Sequence, residues 1–231
     1  MNTKPQEFLR KVLLFQSLDP EDCTRLAASF RRRSLKKGEV LFRKGDEGST
    51  LYIIQEGLVK IVLTSETGDE IAPAILTEGD VFGEMALLDG LPRSADAVAL
   101  EQTELMALSR SDFLDFLKNN EQAIQAVFSS ISMRLRRTDD LLEDASFLTI
   151  STRLARRLLE LAENHGRTDE TGNAVIIDLR LTQRDLASMV GATRESVNKE
   201  LRILRERGAV EMEENLIKIV DMERLRRRAR L

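Results

Sequence analysis

Thr182-Gln183-Arg184-Asp185-Leu186-Ala187-Ser188-Met189-Val190-Gly191-Ala192-Thr193-Arg194-Glu195-Ser196-Val197 reads as two short helices joined by a tight turn. Thr182 and Asp185 have capping-box spacing, with Asp in place of the usual Glu or Gln. Ala187 is small where two helices must cross closely, and Gly191 suits a turn that needs a positive φ. Thr193 caps a second helix that runs to Arg207 and buries Val197, Leu201 and Leu204. Its first turns leave Arg194, Glu195, Asn198 and Lys199 outward. Arginine reads guanine O6 and N7 in a major groove, and glutamate accepts from cytosine N4. A solvated, salt-bridged helix face accounts for the charges alone. The two caps, the small residue and the turn glycine together favour a helix-turn-helix. Candidate DNA contacts are Thr182, Gln183, Thr193, Arg194, Glu195, Asn198 and Lys199. No aromatic residue follows Phe147, which argues against single-strand recognition by base stacking.

Around this core, Val210-Glu211-Met212 and Leu216 to Val220 predict a small hairpin with Asn215 near its turn. Arg224, Arg226-Arg227-Arg228 and Arg230 form a basic tail, either a phosphate contact or a frayed, solvated terminus. Upstream, Leu179 to Leu181 is a short strand candidate, Asn164 to Asn173 a polar loop, and Arg153 to Ala162 a helix burying Leu154, Leu158 and Leu161. Thr149 or Ser151 would cap that helix, which places a hinge at 147–151. Residues 1–146 hold 18 Lys and Arg against 25 Asp and Glu, net −7; residues 147–231 hold 17 against 14, net +3. Only the back part of the chain suits a polyanion.

From about Ser111 to Ala145 there is neither glycine nor proline. Ile124, Phe128, Ile131, Leu135, Leu142 and Ala145 follow a heptad seam, which predicts one long helix with a parallel or antiparallel partner copy. Thr138 interrupts the seam, with Asp139 beside it.

Eight of the twelve glycines lie between Gly38 and Gly90. Between them sit Val40 to Phe42, Leu51 to Ile54, Leu58 to Leu63 and Ile71 to Leu76, short β-type runs that predict an antiparallel roll or barrel. Its densest segment is Phe82-Gly83-Glu84-Met85-Ala86-Leu87-Leu88-Asp89-Gly90-Leu91-Pro92-Arg93-Ser94-Ala95. Gly83 permits close backbone approach, Arg93 offers a planar guanidinium to phosphate oxygens, and Ser94 offers a hydroxyl. Cys23 and His165 are the sole cysteine and histidine, which excludes thiolate metal clusters and disfavours histidine-based catalysis. No nucleophile–base pair stands out, so no enzyme is expected. No uncharged apolar run approaches a membrane span, and MNTKPQEFLRK lacks a signal-peptide core, which points to a cytoplasmic protein.

The segment Phe82–Ala95 resembles the phosphate-binding cassette of cyclic-nucleotide-binding domains. The chain from Phe8 to Arg230 resembles the cyclic-AMP receptor protein family of bacterial transcription regulators, the CRP/FNR superfamily. The resemblance implies an α+β fold: a cyclic-nucleotide-binding β-roll over residues 1–110, a long dimerisation helix over 111–146 and a winged helix-turn-helix DNA-binding domain over 147–231. It implies that Glu84 bonds the ribose 2′-hydroxyl, that Arg93, Ser94 and the backbone of Gly83 hold the cyclic phosphate, and that Thr138 meets the base. Asp139 stands where the cyclic-AMP-binding member has Ser, so both cyclic AMP and cyclic GMP are candidate effectors. Arg194, Glu195 and Lys199 fall on the family's base-reading positions. The acidic hairpin leaves Lys218 as its candidate phosphate contact. The function implied is a homodimeric, allosteric transcription regulator that binds a palindromic operator in double-stranded DNA under cyclic-nucleotide control. RNA polymerase is an implied partner, through the region of His165 and 168–172. The alternatives are a family member that binds DNA without ligand or with another effector, and a cyclic-nucleotide module that acts through protein contacts.

Overall fold

The computed structural model describes residues 5–16, 18–213 and 216–230. They fall into two units: one takes in the chain up to Leu63 and Ala74–Arg137, the other Thr64–Pro73 and the chain from Thr138 onward. In chain order the elements are α1 (Pro5–Leu9), a 3-10 turn (Leu13–Phe15), α2 (Pro20–Ser29), β1 (Arg31–Leu35), β2 (Val40–Phe42), β3 (Thr50–Glu56), β4 (Val59–Thr64), β5 (Glu70–Leu76) and β6 (Val81–Phe82). There follow α3 (Met85–Asp89), β7 (Asp96–Ala99), β8 (Thr103–Ser109), α4 (Arg110–Lys118), α5 (Glu121–Phe147) and α6 (Ile150–His165). The chain continues through β9 (Gly166–Thr168), β10 (Val175–Ile177), α7 (Gln183–Val190), α8 (Arg194–Glu206), β11 (Val210–Glu213), β12 (Leu216–Ile219) and α9 (Met222–Ala229). No helix among the described residues is long and apolar enough to cross a membrane.

Alternation along β3 organises the N-terminal unit. Leu51 and Ile53 enter one core with Phe8, Leu9, Phe15, Cys23 and Phe113. Tyr52 and Ile54 enter a second core with Leu35, Leu41, Val59, Phe82 and Leu105. Successive side chains of a strand point to opposite faces, so a strand between two cores is apolar throughout. The two sheets run β1-β8-β3-β6 and β2-β7-β4-β5. β1 pairs antiparallel with β8, Arg31 opposite Ala107 and Leu35 opposite Thr103. Its exposed Arg31, Arg32 and Arg33 suit an edge strand, where charge discourages further pairing.

The segment expected to be one helix over 111–145 is two. Ser109 caps α4 by accepting from Asp112 N. The side-chain Oδ1 of Asn120 accepts from Ala123 N at 2.9 Å and starts α5 afresh. Asn side chains compete with the helix ladder in this way, so two asparagines stop a helix without glycine or proline. Along α5, Ala123 and Val127 are buried, whereas Phe128, Leu135 and Leu142 are more than half exposed and Ile124 and Ile131 are 37% exposed. The helix therefore carries an apolar seam that is left exposed.

In the C-terminal unit Thr149, not Ser151, caps α6, accepting from Thr152 N. The expected strand Leu179–Leu181 is absent from the sheet β11-β12-β10-β9, and Val175–Ile177 takes its place. Leu179 and Leu181 are buried, but Leu181 N donates to Leu179 O and closes a turn instead of joining a ladder. The polar loop 164–173 is likewise partly ordered, as the end of α6 and β9. β11 and β12 form the expected hairpin; its turn residues Glu214 and Asn215 lie outside the described residues. The basic tail is not frayed. Asp221 caps α9, Leu225 and Ala229 are buried, and Arg156 Nε donates to Ala229 O at 3.2 Å.

Candidate effector site and nucleic-acid interface

The loop from β6 to α3 brings Gly83, Glu84 and Arg93 together. Gly83 has φ +82°, and a Cβ there would stand 2.6 Å from Arg93 Nη1. The glycine therefore admits the arginine itself. Arg93 is 5% exposed. Its Nη1 donates to Gly83 O and its Nη2 to Thr50 O, both at 2.7 Å. Its Cζ lies 4.3 Å from the ring centroid of Phe42, a cation–π contact. Nε is buried without a partner. Burial pulls the guanidinium below its usual range, and Tyr52, Glu84 and Asp46 oppose that pull.

Glu84 is 6% exposed. Oε1 accepts from Arg134 Nη1 on α5 at 2.7 Å, and Oε2 is buried without a partner. Arg134 Nη2 also donates to Val81 O at 3.3 Å. Ser94 is exposed, its hydroxyl 3.7 Å from Met85 Sδ. Thr138 and Asp139 are exposed on α5. A cavity of about 230 Å³ borders Glu84 and Arg134 and is otherwise largely apolar, with Leu14, Val81, Phe113 and Met133 in its wall; Arg93 and Ser94 do not line it.

Sequence reasoning missed four contributors. Phe42 and Thr50 hold Arg93 in place. Gly48 makes room for it, since a Cβ there would collide with Ala86 Cβ and stand 3.0 Å from Arg93 Nε. Arg134 was legible in principle, because it lies four residues before Thr138 on the same helix face.

In the helix-turn-helix the capping box is complete. Asp185 N donates to Thr182 Oγ1, and Thr182 N donates to Asp185 Oδ2. Gly191 ends α7 at φ +58° and its N–H donates to Ala187 O. Thr193 caps α8, accepting from Ser196 N. Val197, Leu201 and Leu204 are buried. Thr182, Gln183, Thr193, Arg194, Glu195 and Lys199 are all exposed. Asn198 departs from expectation: it is half-buried, and its Oδ1 is buried without a partner, because one edge of α8 turns toward the body of the unit. Lys218 departs as well. Its ammonium is 3.0 Å from Asp169 Oδ2. That hydrogen bond raises the Lys218 pKa and holds the Asp169 carboxyl well below the usual carboxylate range, where Ala174 N, Thr171 and Asn173 N add to it against the effect of burial. Its charge is thus committed within the unit.

Two family models match the chain: a cyclic nucleotide-binding domain over residues 32–120 and a Crp-like helix-turn-helix domain over 152–228. The chain is 32% identical to the CRP-like cAMP-activated global transcriptional regulator of Mycobacterium tuberculosis, over 97% of this chain and 99% of that protein. The chain belongs to the CRP-like family of transcription regulators. The cyclic AMP receptor protein of Thermus thermophilus is 35% identical to this regulator over 86% of the chain and 88% of its own length. A solved CRP-family transcriptional regulator from the same organism superposes with a TM-score of 0.74 at 26% identity, covering 86% of this chain and 97% of that one. This CRP-like regulator therefore joins a cyclic-nucleotide-binding domain to a DNA-binding helix-turn-helix, and its relatives are regulators, not enzymes.

Proposed function

We propose that this protein is a homodimeric, sequence-specific DNA-binding regulator whose DNA affinity is set by cyclic AMP. The observation that carries the reading is a pair of buried, unpartnered polar atoms in the cassette. Glu84 Oε2 is an acceptor and Arg93 Nε is a donor. Leaving such groups unsatisfied costs free energy that a ligand of matching polarity recovers. A ribose hydroxyl suits the first and a cyclic phosphate oxygen suits the second. Ser94 and the backbone of Gly83 would complete the phosphate site, and Thr138 and Asp139 would meet the base. A carboxylate at 139 accepts from the adenine amino group and also from guanine, so cyclic GMP is a second candidate ligand.

The relative from M. tuberculosis is described as cAMP-activated, which supports cyclic AMP here. The exposed seam on α5 supports the homodimer. In this reading residues 1–110 bind effector, 111–146 carry the dimer contact and 147–231 bind DNA. Arg194, Glu195 and Lys199 read bases; Thr182, Gln183 and Thr193 hold the backbone. Asn198 has at most its amide nitrogen to offer. The region of His165 and 168–172 would meet RNA polymerase, and the protein would work in the cytoplasm. Calorimetric titration of cyclic AMP tests the site: we expect saturable binding, weakened by about 1.5–3 kcal/mol in Arg93→Leu. Unaltered affinity in a folded Arg93→Leu variant would remove the cassette from the account.

A further inference from the structure

We propose that the acidic turn between β4 and β5 is a latch on the DNA-binding helices, in which the Glu70 carboxylate holds Arg184 where a DNA phosphate would otherwise sit. Residues 64–73 group with the C-terminal unit. The turn is tightly built. Ser65 N donates to Asp69 O and Gly68 N to Ser65 O. Asp69 N donates to Ser65 Oγ, and Thr67 Oγ1 to Asp69 Oδ2. It carries three carboxylates, Glu66, Asp69 and Glu70. Glu70 Oε1 accepts from Arg184 Nη2 at 3.3 Å. Beside it, Ile71 Cγ2 lies 3.9 Å from where a Cβ on Gly191 would stand. The turn thus pairs with the first turn of α7 through Arg184 and brings Ile71 near its C-cap at Gly191.

The start of α7 is where the first helix of a helix-turn-helix crosses the DNA backbone, and Thr182 and Gln183 flank Arg184 there. A guanidinium that serves a carboxylate is not available to a phosphate oxygen, so the two contacts compete. The Arg184 side chain is 70% exposed. The latch is therefore weak, screened by salt and easily opened, as a reversible device must be.

The inference rests on the reading that α7 and α8 bind DNA. The test is duplex binding by the full chain without nucleotide, read by fluorescence anisotropy on a labelled mixed-sequence duplex at low salt. Glu70→Ala should tighten binding by about two- to five-fold, the range that an exposed ion pair allows. The gain should vanish in the Arg184→Ala background and shrink as salt is raised. Glu66→Ala removes the same charge from the same turn, and Glu66 makes no ion pair among the described residues; it should give a smaller gain that persists in the Arg184→Ala background. Binding by the wild type with no gain in Glu70→Ala, or a gain equal in both backgrounds, would overturn the latch and leave the DNA-binding reading intact. Failure of the wild type to bind duplex at any salt would overturn that reading and the latch together.

Discussion

Oε1 of Glu84 accepts a 2.7 Å hydrogen bond from Nη1 of Arg134, which ties the loop before α3 to α5. The carboxylate is buried and the guanidinium is 39% exposed. Arg134 is thus the partner that makes a buried charge at Glu84 tolerable. Arg134→Ala should destabilise the protein by about 1–3 kcal/mol, less than a fully buried pair would lose because one partner is partly solvated. The denaturant midpoint measures it. Glu84→Gln, which keeps an acceptor for Arg134, should cost less. Equal stability of Arg134→Ala and wild type would mean that water already compensates Glu84.

Phe128 on α5 is 66% exposed and Leu135 is 61% exposed, although both are large and apolar. Burying such a side chain contributes roughly 1.5–3 kcal/mol. Phe128→Asp should raise the dimer dissociation constant by more than about ten-fold, by sedimentation, while far-ultraviolet circular dichroism stays unchanged. A variant that remains as firmly dimeric as wild type would place the dimer contact elsewhere.

Glu195 is exposed in the first turn of α8 and makes no ion pair among the described residues. Glu195→Ala should relax base preference at one pair of each half-site, worth about 1–3 kcal/mol of discrimination, with little change in the salt dependence of binding. Selection from a randomised duplex pool reads this directly. A uniform loss of affinity over all sequences would assign Glu195 a positional role.

Asp169 and Lys218 give the C-terminal unit a defined acid limit. Lys218 lowers the Asp169 pKa in the folded state, so the pair stabilises above the unfolded carboxylate value of about 3.9 and its contribution fades as pH falls below that. Lys218 is raised in turn, so its contribution is present below about pH 10.4 and is lost only as pH climbs through its higher folded value. The melting temperature of Asp169→Asn should lie below wild type by a constant amount from about pH 6 to 9, and the gap should start to narrow only below about pH 4 and close as pH falls toward the depressed folded value. A difference that persists undiminished in acid would mean that the turn geometry of Asp169, and not its charge, is what matters.

Much of this architecture was legible because local and global signals agree. Leu51 to Ile54 is apolar throughout because it separates two cores, and Thr182, Asp185, Gly191 and Thr193 each sit where their own backbone chemistry requires. The misses have physical reasons. β1 is a strand because β8 needs an edge partner, and nothing in Arg31-Arg32-Arg33 signals it. Asn119 and Asn120 broke a helix that carried no glycine or proline. Leu179 and Leu181 alternate like a strand because both are buried, yet the chain turns between them. At the site, the sequence pattern pointed to Glu84 and Arg93, but their partners Arg134, Thr50 and Phe42 are distant in sequence and meet them only in the folded unit.

In the proposed function, effector occupancy changes DNA affinity. The direct measurement is anisotropy on a two-fold symmetric duplex, with half-sites about one helical turn apart, with and without cyclic AMP at a concentration shown by calorimetry to saturate the protein. Cyclic AMP should tighten binding by about 5–150-fold, a coupling of roughly 1–3 kcal/mol, and Arg93→Leu should abolish this gain. Equal DNA affinity of the saturated and ligand-free protein would contradict it, since a ligand that binds both states alike shifts no population.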